Sequence, residues 1–281
     1  MVVLPRAALL ALTMFWTPIA LAEPVSYPEL ADPLPWGTNK TYADLVRLVV
    51  PGIDPGHTAV FGSGVIDVRH IGGEDVDGFE PKTVMSPRIA AIQMRSSGLD
   101  RVALLLDLGE TGYDVSRFVI LALFDLADEP RLLDAANVAF DRDTFFLESV
   151  RLPAGIGDDL LATRSTHSNS SQRYAITALI LARNDRLELV DTIQTLDDKA
   201  CAYERSQRLD VRQDVRESFS DIVATVSELT ADSGVDCDDA TVPGPRTRTI
   251  TVTYRWDANR QRYVPDSDAF EALARENEKR S

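Results

Sequence analysis

The chain has 281 residues, with 29 Lys and Arg against 44 Asp and Glu, for a formal net charge of −15. Hydrophobic residues make up 44% and charged residues 26%, the balance of a chain that buries a core rather than stays disordered. Its 15 Gly, 15 Pro and 2 Cys exclude collagen-like and disulfide-dense scaffolds, and its acidity repels phosphate backbones, so no nucleic-acid partner is expected.

The N-terminus carries a targeting pattern. Arg6 precedes Ala7–Leu21, an uncharged run rich in Ala and Leu, and Ala20 and Ala22 place small residues at −3 and −1 before Glu23. A basic start, an apolar centre and an A-x-A end predict a signal peptide over 1–22, cleaved between Ala22 and Glu23. The run is shorter than the roughly 20 residues that span a bilayer, and no later stretch replaces it, so no membrane span is expected after cleavage. The expected location is periplasmic or secreted. Residues 23–40 contain Pro24, Pro28, Pro33 and Pro35 and read as an extended linker before a single β-rich domain over 41–281. Thr41 to Val50 reads as a short helix with Thr41 at its cap and Pro51 at its stop.

From Arg88 onward the pattern is that of strands. Strand starts fall near 88, 101, 117, 131, 144, 160, 173 and 186, which leaves no room for crossover helices. Sequential strands are therefore expected to pair as an antiparallel meander, forming a sandwich or a strongly curved sheet, with a barrel or propeller-like blades as alternatives. Ser96–Asp100 and Asn184-Asp185 read as hairpin turns. Segments 201–212 and 219–230 fit either strands or helices. Thr249–Trp256 alternates Ile250, Val252, Tyr254 and Trp256 with Thr249, Thr251, Thr253 and Arg255, the period-two pattern of a half-buried strand. A C-terminal helix is expected at about 267–279, capped by Ser267 or Asp268, with Phe270 and Leu273 as its apolar stripe. In an exported chain the two cysteines predict one disulfide, Cys201–Cys237.

Signals for chemistry are sparse. Ser63 lies between two glycines, without the G-x-S-x-G elbow, and Asp67 and His70 follow it. The three could be written as a triad, but on a strand Asp67 and His70 would point to opposite faces. Glu74, Asp75, Asp77 and Glu80 crowd one glycine-flanked segment and are the candidate calcium ligands. They do not match an EF-hand, because Gly73 and Val84 stand where its first and last ligands belong. No other cofactor is expected. Ser165–Gln172 is an uninterrupted polar run read as a loop between strands, able to carry ligand contacts over a rigid sheet. The composite expectation is an exported, acidic, non-catalytic protein that binds a partner protein or small ligand through loops on a β scaffold. Two alternatives stand beside it: a secreted hydrolase built on Ser63/Asp67/His70 or the Glu74–Glu80 carboxylates, and a calcium-stabilised structural or surface protein.

Overall fold

A computed structural model describes residues 25–35, 39–53, 59–61, 64–73, 83–85, 87–110, 117–126, 129–155, 157–215, 219–234 and 245–280. Residues 1–22 and the cleavage pair Ala22/Glu23 lie outside them. After helix α1 (Tyr42–Val46) come three short strands, β1 (Ala59–Phe61), β2 (Arg69–His70) and β3 (Thr83–Met85). A first meander follows: β4 (Arg88–Ser96), β5 (Leu99–Glu110), β6 (Arg117–Asp125) and β7 (Arg131–Asn137). The second meander comprises β8 (Asp143–Pro153), β9 (Asp159–Ser168), β10 (Gln172–Arg183), β11 (Arg186–Lys199), β12 (Tyr203–Asp214), β13 (Asp221–Asp232), β14 (Arg246–Asp257) and β15 (Arg262–Pro265), before helix α2 (Ala269–Glu278) closes the chain.

The fold is mainly β and packs as a sandwich with no closed barrel. β1 and β3 form a small two-stranded sheet; of the two large sheets, one has five strands in the order β2-β7-β6-β5-β4 and the other has eight in strict chain order from β15 to β8. Pairing is antiparallel except between β2 and β7. Both ambiguous segments are strands, β12 and β13, which pair along their whole length. The first hairpin turn is tighter than the sequence suggested: Ser97-Gly98 alone connects β4 to β5, both with positive φ. Asn184-Asp185 likewise takes positive φ at both positions, as a two-residue hairpin requires.

The central strands of the five-stranded sheet are covered on both faces. Ala103, Leu105, Val119, Leu121 and Leu123 point toward the larger sheet and meet Leu161, Ala178 and Ile180. Leu104, Leu106, Ile120, Ala122 and Phe124 point the other way, onto Leu45, Val46, Val49 and Val50 in and after α1. This explains why Phe118–Phe124 is continuously apolar: alternation of side chains matters only when one face meets water. The segment before α1 is no free linker. Val25, Leu30 and Leu34 are buried, Ser26 bridges Ala91, and Pro33 bridges Thr41. Its prolines block a regular strand but not docking.

The eight-stranded sheet doubles back on itself. β9 and β10 send Leu161, Ala178 and Ile180 toward the five-stranded sheet and Leu160, Ala162, Leu179 and Leu181 the opposite way. The second set shares a core with Ile222, Ala224, Val226, Val252 and Tyr254 of β13 and β14, strands that are not its hydrogen-bonded neighbours. In β14 the expected faces hold: Val252 and Tyr254 are buried, and Thr251 and Arg255 are exposed.

The fold-back occurs between β11 and β12, which pair only at Asp198–Arg205 and Lys199–Glu204 before they part. Side chains replace the missing ladder. Leu196 N–H donates to Gln207 Oε1 at 2.9 Å, and Gln207 N–H donates to Asp197 Oδ1 at 2.8 Å. Helix α2 wedges into the gap on Phe270 and Leu273, with Asp268 at its N-cap but making no side-chain cap bond. Its Asn277, fully buried, exchanges two 3.0 Å bonds with the Gln207 amide, Nδ2 to Oε1 and Nε2 to Oδ1. Gln207 Nε2 also donates to Glu228 Oε2 at 2.8 Å, and Arg280 Nη1 donates to the same oxygen at 3.0 Å. Burial pushes the Glu228 carboxyl up, but these donors outweigh it and hold the group below the usual glutamate range. Truncating Asn277 would leave both Gln207 amide groups a partner short in a dry site, at a cost of about 1–3 kcal/mol. Urea denaturation should therefore place Asn277→Ala well below wild type, while Lys279→Ala at the exposed end of the helix should stay within about 0.5 kcal/mol.

Candidate functional site

Strand alternation builds a charged end onto an apolar face. On β9 the side that carries Leu160 and Ala162 into the core continues as Arg164, Thr166 and Ser168. On β10 the side that carries Leu181 and Leu179 continues through Thr177 and Ala175 to Arg173. The β9–β10 and β8–β9 registers set Arg164 between Phe145 and Thr177, and the β10–β11 register sets Arg173 opposite Asp197. The polar run Ser165–Gln172 is thus mostly strand, not loop: β9 runs through Ser168, β10 begins at Gln172, and only Asn169–Ser171 turns. Polarity misled here because side chains and neighbouring strands satisfy these residues. Ser165 is buried, its hydroxyl sharing a 2.8 Å bond with Thr144 and accepting Phe140 N–H at 3.1 Å. His167 stacks on Tyr174, with Nδ1 3.3 Å from an Asp141 oxygen.

The turn is rigid. Asn169 Oδ1 accepts the Ser171 and Gln172 N–H groups at 2.9 and 2.8 Å, and Ser171 O accepts Lys199 N–H at 2.8 Å. On its two sides lie adjoining clefts of about 420 and 630 Å³, which share Ser168, Arg173, Asp197 and Arg208 as walls. The smaller continues along the start of β12 past Lys199, Glu204 and Arg205. The larger runs over β8 and β9, past Arg142, Phe145, Leu147, Arg164 and His167.

Arginines dominate the larger cleft. Arg142, Arg164, Arg173 and Arg208 line it against the carboxylates of Asp143 and Asp197, a local excess of two positive charges in a strongly acidic chain. Asp197 is already engaged: Arg208 Nη1 reaches its two oxygens at 3.1 and 2.9 Å, and Gln207 N–H takes one of them. Arg164 has no such partner. Arg101, Arg117, Arg151, Arg183, Arg205, Arg248 and Arg280 are each withdrawn from solvent and ion-paired. Among the described residues Arg164 is the one arginine so withdrawn without an ion pair. Burial pushes its guanidinium below the ordinary arginine value; Asp197 opposes that, while Arg208 and Arg173 add to it. Nothing in the sequence marked these arginines singly. The readable signal was an Arg following Leu160 and Ala162 at strand spacing, where an apolar residue is expected.

The other candidate residues do not gather. His70 is buried, its Nε2 donating to Ala139 O at 3.0 Å and its Nδ1 accepting Gly72 N–H at 3.0 Å. A Cβ at Gly72 would come within 3.1 Å of that Nδ1, so glycine is what lets the backbone approach the ring. Both ring nitrogens are thus held by the main chain, and Asp67 is exposed and makes no bond to them. Ser63, and Glu74, Asp75, Asp77 and Glu80, lie outside the described residues. Among the described residues no group of three or more His, Cys, Asp or Glu is arranged to hold a metal ion, and no helix is long and apolar enough to cross a membrane. Cys201 sits in the β11–β12 corner, while Cys237 lies outside the described residues. Comparison of the chain with protein-family models, curated proteins and solved structures finds no match.

Burial lowers the His70 pKa below the ordinary value of 6.5, a shift that its bond to Ala139 O opposes. As pH falls from about 6.5 toward that lowered value, the unfolded chain takes up a proton that the folded chain refuses, so folding stability declines. The urea midpoint of the wild type should drop between pH 7 and pH 5 more than that of His70→Gln. NMR titration of the imidazole should place its midpoint below 6.5; a midpoint above that would contradict the packing.

Proposed function

We propose that this is an exported binding protein, whose two-sheet scaffold presents a cleft for a partner or small ligand beside the β9–β10 turn. The observation that carries the reading is the larger cleft, about 630 Å³. That is within the range of small-molecule sites, and apart from Arg142 its walls come from regular strands. Rigid walls lower the ordering cost of binding. On this reading the β strands position side chains for recognition.

Export rests on the 1–22 pattern, and a Cys201–Cys237 disulfide would fit an oxidising destination. Ser233 supports the Cys201–Cys237 pairing: its hydroxyl donates to Cys201 O and its N–H to Ala202 O at 3.2 Å. These bonds return the chain leaving β13 to Cys201, and Cys237 follows Ser233 by four positions. The intact mass of exported material should correspond to a chain beginning at Glu23 and lacking both thiol hydrogens, which reduction restores. A mass that retains Met1 would overturn the export assignment.

The binding reading is tested by screening a mixed library of neutral and charged fragments by NMR. Amide shifts of the hits should concentrate in 142–147, 164–173 and 205–208. Hits that cluster elsewhere, or none, would remove the cleft as the site.

A further inference from the structure

We propose that the larger cleft binds the dianionic phosphoryl group of an organic phosphomonoester, gripped by Arg164 between Arg173 and Arg208, with its organic part resting on Phe145; this rests on the binding reading above. Four features of the cleft converge on that ligand class.

The first is charge. Four arginines face two carboxylates, and the excess of two matches a phosphomonoester dianion. In a chain of net charge −15 such a concentration on one wall runs against the composition, and anions reaching it must be drawn by the local field. The second is the state of Arg164. Its guanidinium is partly withdrawn from water, Asp197 is occupied by Arg208 and Gln207, and no other described carboxylate takes the vacant fork. A desolvated cation without a partner is costly, and an oxyanion arriving there recovers that cost.

The third is geometry. Arg164 projects from the middle of a regular strand, opposite Phe145 and Thr177, so its direction is fixed by the ladders on both sides. Arg173 of β10 and Arg208 of β12 line the same cleft from other strands, Arg208 through the donors left beyond its Nη1 bonds to Asp197, and guanidinium donors from three strands suit a tetrahedral oxyanion better than a planar carboxylate. The fourth is the apolar neighbour. Phe145 is 42% exposed on the same face as Arg164, and the cleft holds far more than a bare oxyanion. An aromatic or aliphatic substituent would cover that ring.

The test uses phenyl phosphate, inorganic phosphate and phenol, titrated by calorimetry and by amide NMR at fixed ionic strength, since exposed charges are screened by salt. Phenyl phosphate should bind with shifts at Phe145, Arg164 and Arg173, inorganic phosphate more weakly at the same residues, and phenol not measurably. Arg164→Gln should weaken phenyl phosphate by about tenfold or more, the value of one charged hydrogen-bonding partner. It should melt no lower than wild type, because an uncompensated cation has been removed. If it fails to fold, the exposed Arg173→Gln serves in its place, with weakened binding again expected.

Binding undiminished by both substitutions overturns the proposal. Equal affinity for inorganic phosphate and phenyl phosphate overturns the organic part. If neutral fragments map to the cleft and phenyl phosphate does not, the phosphoryl proposal fails while the binding reading stands. If nothing maps there, both fail.

Discussion

Everything distinctive in this structure depends on a buried polar seam between β11 and β12. Two strands that leave their common hairpin after two residue pairs expose backbone groups which must find partners, since buried unpaired N–H and C=O groups are costly. Gln207 Oε1 and Asp197 Oδ1 supply partners for the N–H groups of Leu196 and Gln207 from the strands themselves, and Asn277 of α2 holds the Gln207 amide through two further bonds. The seam lets one continuous meander form two layers, because a flat eight-stranded sheet would leave the Leu160, Ala162, Leu179 and Leu181 face in water. Hydrophobic burial provides the drive to fold back; the amide network makes the bend possible at that place.

The same divergence creates the cleft. Where β12–β15 cover the inner face, it is Leu, Ala, Ile and Val. Toward the turn of the β9–β10 hairpin that cover runs out, and the face changes to Arg164, Thr166 and Arg173 without any break in the strands. Asp197 belongs to both regions. It caps Gln207 N–H in the seam and pairs with Arg208 in the cleft wall, so corner and cleft are mechanically one unit. Substitutions at the seam should therefore not be treated as remote from the site, since contacting residues in one network do not act additively.

Two histidines illustrate how burial decides chemistry. His70, close in sequence to Ser63 and Asp67, is clasped by backbone groups and serves packing. His167 sits on the cleft wall, stacked on Tyr174 and beside Asp141. Composition gives no means of telling these two apart; the number of main-chain groups that reach each ring does.

The sequence by itself determined most of the elements from Arg88 onward and their order. Short, evenly spaced strand patterns with hairpin residues between them admit little except an antiparallel meander, and Val252 and Tyr254 sit on the face that alternation assigns them. It also held the C-terminal helix, through Phe270 and Leu273. Only the tertiary structure decided which faces are covered, and by what. The polar run Ser165–Gln172 reads as a loop because local polarity cannot report that Thr144, Phe140 and the flanking strands satisfy it. The arginine cleft was illegible for a related reason. Its walls come from five strands and the bend before β8, with residues spread from 142 to 208, and charges that distant in the chain become one field only when strand register sets them side by side.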